Sequence, residues 1–270
     1  MTAIRLRAGG RPWRPGAWAG SVIKTGGFGL VIGLIVWETL GQTLRYTFLP
    51  PASRVAGRLV DLVTSGQILP ALATSLTNLA LGFAISLGFG IAIGLGMGVS
   101  RRLAASLDPY VNALLTAPSL VFAPIFFSIW GLGRQSIVAL IVTYSVFVVI
   151  VNTSAAVRAV SSDLHEMARS FDTSAAQTFR WVTLPAATPL IFTGIRVAAA
   201  RAVKGMINGE MFIALIGLGK MIQDAQHQLD ATTVIAVLSI VVAVALVLIT
   251  AIDRIDMRLN GWLPRTERGT

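Results

Sequence analysis

The chain has 270 residues, of which 54% are hydrophobic and 13% charged, with no cysteine and a formal charge of +10. Soluble domains carry about 25% charged residues, so this composition excludes disorder and a fibrous protein and argues against a water-soluble enzyme. Without cysteine there is no disulfide, no thiolate metal site and no cysteine nucleophile.

The apolar residues sit in long blocks. No charge occurs between Asp61 and Arg101, Asp108 and Arg134, Arg134 and Arg158, or Asp230 and Asp253. Each run nears or exceeds the ~20 residues that a helix needs to cross ~30 Å of hydrocarbon. Two further stretches are apolar but carry charge: 26–44 with Glu38, and 189–218 with Arg196, Arg201, Lys204 and Glu210. The chain therefore reads as an all-α membrane protein with six transmembrane helices, over 26–44, 72–99, 116–132, 136–157, 189–218 and 231–252.

Residues 1–25 form a basic arm with Pro12 and Pro15, read as flexible and cytoplasmic. The first span follows it directly. No small-residue cleavage site comes after the apolar run, so it reads as a retained signal anchor rather than a removed signal peptide. Pro50-Pro51 breaks the chain. Ser53–Val63 then alternates Val55, Leu59 and Leu62 with Arg54, Arg58 and Asp61, which predicts a short amphipathic helix on the outer surface. Together 26–70 make a first membrane segment, ahead of a core of 71–260 and a tail of 261–270.

Thr74, Asn78, Gly82, Ser86, Gly90, Gly94 and Gly98 recur every four residues in the second span. Small residues let helix backbones approach closely in lipid, so this face packs against protein, either as fixed structure or as a moving interface. The third span contains Pro118 and Pro124 and stops at Gly131-Leu-Gly133. With six spans both ends of the chain share one side. That side holds fourteen basic residues and the other five, which predicts cytoplasmic termini.

Residues 161–185 read as a helix–turn–helix. Asp163 with Glu166 and Ser174 with Gln177 each fit a capping box. Asp172-Thr173 is the joint, and Leu184-Pro185 ends the second helix because a residue before proline is pushed out of helical geometry. Phe179, Trp181 and Val182 give the unit an apolar surface that lipid cannot cover there, so a protein partner is expected.

Glu166-Met-Ala168, the turn at Asp172 and Leu184-Pro185 resemble the "EAA" loop of bacterial ATP-binding-cassette importer permeases. Thr116-Ala-Pro118, Ala123-Pro-Ile125, Trp130-Gly-Leu-Gly133, Val151-Asn-Thr153, Gly194-Ile-Arg196, Gly209-Glu-Met211 and Gly217-Leu-Gly219 extend the match in order. Together they resemble the nitrate/sulfonate/taurine permease group over about Ser75–Ile252. The resemblance implies a type I importer permease fold with a cytoplasmic coupling helix, in a multi-pass protein of the bacterial inner membrane. It implies a homodimer, a cytoplasmic ATPase and an external substrate-binding protein as partners, with no cofactor and no nucleic acid. Carried onto this chain, the ATPase-coupling residues are Glu166, Ala168, Asp172, Ala175, Ala176 and Phe179. The family usually has alanine at Met167 and glycine at Asp172; aspartate tolerates the left-handed turn that glycine provides.

Lys204, Asn208 and Glu210 are the candidate path residues, since intramembrane charges face protein or water rather than lipid. Lys204 stands where the family is more often apolar. It would either attract an anion or pair with Glu210 of a second copy. The two histidines, His165 and His227, fall on opposite sides of the membrane, so they share no metal site. No phosphate-binding P-loop occurs, so ATP hydrolysis belongs to a partner. The rival reading is an ion-coupled secondary transporter without an ATPase; the missing internal repeat weighs against it.

Overall fold

The computed structural model describes residues 16–44, 48–213 and 215–260, all helix, turn or loop. The helices are α1 Gly16–Leu44, α2 Ala52–Thr64, α3 Ile68–Val99, α4 Arg101–Thr116, α5 Ala123–Trp130 and α6 Arg134–Arg158. Then come α7 Ser162–Ser170, α8 Ala175–Thr178, α9 Leu184–Ile213, α10 Gly217–His227 and α11 Ala231–Leu259. Helix α1 begins inside the segment expected to be a flexible arm. The rest of that arm and the tail lie outside the described residues.

The glycine face of α3 packs along α6. A Cβ placed on Gly82, Gly90 or Gly94 would come within 2.6 Å of Ile141, Val149 or Thr153, so each position needs its missing side chain. At Gly98 the neighbour is Val157. Both numbers rise together, so the two helices run parallel. Ser145 Oγ donates to Ser86 Oγ at 2.7 Å in the middle of this seam. On its other side α6 meets α9 antiparallel, through Gly194 against Asn152 and Gly205 against Tyr144. Three helices thus stack with α6 at the centre, where Ile137, Leu140, Ile141 and Val149 are buried.

Two parallel helices joined in sequence need a return path, and the predicted third span is not one straight helix. It is α4 followed by a 3₁₀ turn, Ser119–Phe122, and α5, bent by 95° at the break. Pro118 is the cause: it holds Ala117 extended at ψ 139° and so ends α4 at Thr116. Helix α4 also starts at Arg101, where Ser100 Oγ accepts from Leu103 N–H, well before the expected boundary. Gly131, at φ 73°, makes the turn into α6.

Among the described residues four helices are long and apolar enough to cross a membrane, α3, α6, α8–α9 and α11, or five when the bent pair is counted as one span. Of the expected first span, the described apolar part is only Val31–Leu44. The amphipathic helix is present as α2, with Val55 and Leu62 buried. It packs on the start of α11, where Arg58 Nε donates to Thr233 Oγ1 at 2.9 Å. At the opposite end of the bundle, Arg196 of α9 pairs with Asp253 and Asp256 of α11.

Candidate functional site

The loop between α6 and α9 closes on itself. Asp172 adopts φ 50°, the left-handed turn expected of it. Thr173 Oγ1 then donates back to the Ala168 carbonyl at 2.9 Å and meets Thr178 Oγ1 at 2.8 Å. The Ser174–Gln177 capping box forms, each side chain bonding the other's backbone N–H. The Asp163–Glu166 box does not. Helix α7 starts two residues earlier, with Ser161 at its N-cap and no side-chain cap bond.

Pro185 does not end the second helix. Residues Phe179–Thr183 form a π turn, in which Leu184 N–H reaches the Phe179 carbonyl five residues back. The wider turn changes the hydrogen-bond register just before the proline, whose missing N–H then falls in the first turn of α9. Coupling segment and membrane helix are therefore one continuous element, Ala175–Ile213.

Of the six residues expected to meet a partner, Glu166, Asp172, Ala175 and Ala176 are exposed and Phe179 is half-buried. Ala168 is 2% exposed and packs inside the loop, so its methyl positions the turn rather than facing outward. The outward apolar surface comes from Met167, Phe171 and Trp181, the last two 75% and 72% exposed. Sequence reading found Trp181 but missed Phe171, whose signal was a lone aromatic beside the turn.

Helix α9 presents a narrow unburied stripe: Leu190, Thr193, Val197, Arg201, Lys204, Asn208 and Phe212. The spacing of three and four keeps them on one face. If the Arg196 ion pairs mark the membrane boundary, Lys204 lies about 12 Å further in and Asn208 about 18 Å, either side of a ~15 Å mid-depth. Arg201 and Lys204 have no ion-pair partner among the described residues. Asn208 Nδ2 donates to the Tyr144 hydroxyl at 2.8 Å, a partner that the sequence reading did not supply.

Glu210 sits elsewhere. It is fully buried and faces α3 and the start of α10. Ser75 Oγ donates to its carboxylate at 2.7 Å, Gly219 N–H at 3.1 Å and Asn78 Nδ2 at 3.3 Å. Leu218 N–H in turn donates to Ser75 Oγ at 2.9 Å. Gly217, at φ 78°, lies against the Glu210 carboxylate, and a side chain there would collide with it. The structure thus brings Lys204 and Asn208 together on the stripe and separates Glu210 from both.

Residues 84–261 match the family described as the binding-protein-dependent transport system inner membrane component. The chain belongs to that family. It is 30% identical to the putative aliphatic sulfonates transport permease protein SsuC of Bacillus subtilis (strain 168), over 85% of this chain and 84% of that one. It is also 30% identical to the taurine transport system permease protein TauC of Escherichia coli (strain K12), over 86% and 87%. A solved inward-facing MetNI methionine ABC transporter shares its fold, with a TM-score of 0.59 at 20% identity, covering 72% of this chain and 98% of that one. The protein is a multi-pass membrane permease of an ATP-binding-cassette importer: a transport subunit, not an enzyme. The ion-coupled alternative is set aside by that membership.

Proposed function

We propose that the α9 stripe lines the substrate path between two copies of this chain and that the cargo is a small anion of the sulfonate or taurine kind. Two cations without an ion-pair partner among the described residues carry this reading: Lys204 near mid-depth, where lipid would cost it about 2.5–3.5 kcal/mol on insertion scales, and Arg201 about 7.5 Å inside the Arg196 level on the same face. Two copies would double the cations facing the path. The relatives named for sulfonates and taurine support the same substrate class. Asn208, held by Tyr144, offers a neutral contact one turn further along.

In this reading the 161–185 loop docks on a cytoplasmic ATPase, a binding protein delivers substrate from outside, and both termini are cytoplasmic. Glu210, expected on the path, becomes a structural anchor behind it. Reconstituted with its ATPase and binding protein, the permease is expected to import an aliphatic sulfonate. Lys204→Met should cut uptake at least ten-fold while Lys204→Arg retains it. Normal uptake in Lys204→Met would remove the cationic path. Orientation has its own check in this cysteine-free chain. Ser161→Cys should be shielded from an impermeant thiol reagent in intact cells and Gln226→Cys labelled; the reverse pattern inverts the topology.

A further inference from the structure

A cavity of about 980 Å³ opens where α3, α4, α6 and the coupling loop meet, at the far end of the bundle from α2 and α10. Its floor is apolar, with Met97, Val157 and Val160. Its rim carries three arginines from three separate elements: Arg101 in the first turn of α4, Arg158 in the last turn of α6 and Arg169 in the last turn of α7. Asp108 is the one carboxylate lining it and makes a loose 3.8 Å pair with Arg158. Arg101 and Arg169 have no ion-pair partner among the described residues. His165, also on the wall, is committed on both nitrogens, Nδ1 to the Ser161 carbonyl at 3.0 Å and Nε2 to Thr183 Oγ1 at 3.2 Å. The first bond is local to the start of α7, and the second ties α7 to the π turn that leads into α9.

We propose that this cavity binds the phosphate headgroup of an anionic phospholipid. A phosphodiester suits arginine, whose planar fork grips two oxygens at once, and the rim carries more cations than Asp108 neutralises. A free phosphate would satisfy the same groups. The lipid is favoured by the shape of the mouth. Val99 lines the cavity and is also 61% exposed, and it continues the outward apolar stripe of α3 through Leu81, Ile85 and Phe89. That stripe gives acyl chains a route along α3 while the headgroup sits among the arginines. The bound headgroup links α4 and α6 to α7, so the position of the coupling helix answers to the lipid composition around it. The assignment uses the geometry of the loop and stands whether or not the α9 path carries anions.

The test is binding of dioctanoyl phosphatidylglycerol to the full-length chain in a neutral detergent, followed by native mass spectrometry and titration. One lipid per chain is expected, with dioctanoyl phosphatidylcholine at least ten-fold weaker. The variant Arg101→Gln/Arg158→Gln/Arg169→Gln should weaken phosphatidylglycerol at least ten-fold, whereas Arg254→Gln/Arg258→Gln on α11 should change it less than two-fold. If the triple variant does not fold, exposed Arg101→Gln alone carries the test, with a loss of three-fold or more. Three results overturn the proposal: unchanged binding in the cavity variants, an equal loss in the α11 variant, or displacement of the lipid by inorganic phosphate at a similar concentration.

Discussion

Glu210→Leu is expected to destabilise the detergent-solubilised chain by about 2–4 kcal/mol, whereas Glu210→Gln should cost less than about 1 kcal/mol. Leucine strands the Gly219 N–H and the Asn78 amide in a fully buried site, and it removes the acceptor for the Ser75 hydroxyl. Each buried group left unpaired costs about 1–3 kcal/mol, and partial relaxation reduces the sum. Glutamine keeps one oxygen for Ser75 and Gly219. Its nitrogen would then face Asn78, whose Oδ1 is buried without a hydrogen-bond partner. Turning the Asn78 amide end for end offers that oxygen to the new N–H, so the contacts of position 210 with Ser75, Gly219 and Asn78 are all kept. Unfolding of both variants in the same micelles decides the point; equal losses would show that the charge, not the bonding pattern, holds α3, α9 and α10 together.

Phe171→Ala/Trp181→Ala should abolish copurification of the ATPase while leaving insertion and unfolding of the permease unchanged. Aromatic anchors of this kind contribute about 2 kcal/mol each when a partner buries them, or about thirty-fold in affinity apiece. Both rings lie outside the loop's own packing, so the free chain loses little with them. Ala168 is a poorer probe. A bulky residue there would overfill the loop itself, and any loss of ATPase could reflect a distorted turn. Copurification at the parental ratio in the double variant would place the docking surface elsewhere.

Local chemistry made much of this legible beforehand. The four-residue period of α3, the heptad-like alternation of α2, the left-handed joint at Asp172 and the Ser174–Gln177 box all depend on neighbours within a few residues. The errors came where a local rule had an unseen alternative. Proline stops an α-helix, but a π turn before Pro185 let the helix continue. The apolar run 116–132 reads as one span, whereas Pro118 makes a sharp corner in it. The contacts of Glu210 could not be read because its partners are remote: Ser75 lies 135 residues earlier in the chain. No window of sequence holds that contact. The coupling loop was read from its motif, yet Ala168 turned inward because Thr173 folds back onto it.

The parallel seam of α3 and α6 sets a demand on the order in which this protein is made. A hairpin pairs its two helices as soon as the second emerges, but parallel helices cannot pair until the chain has crossed back. Ser86 must wait for Ser145, 59 residues later, before the two hydroxyls meet. At about 5–20 residues per second, the glycine face of α3 stands uncovered for roughly 3–12 s. During that interval its small residues offer any other helix in the insertion machinery the same close approach that α6 will take. A slow stretch of translation after α3 would lengthen this exposure, and the bent α4–α5 pair is the segment that must be finished to end it.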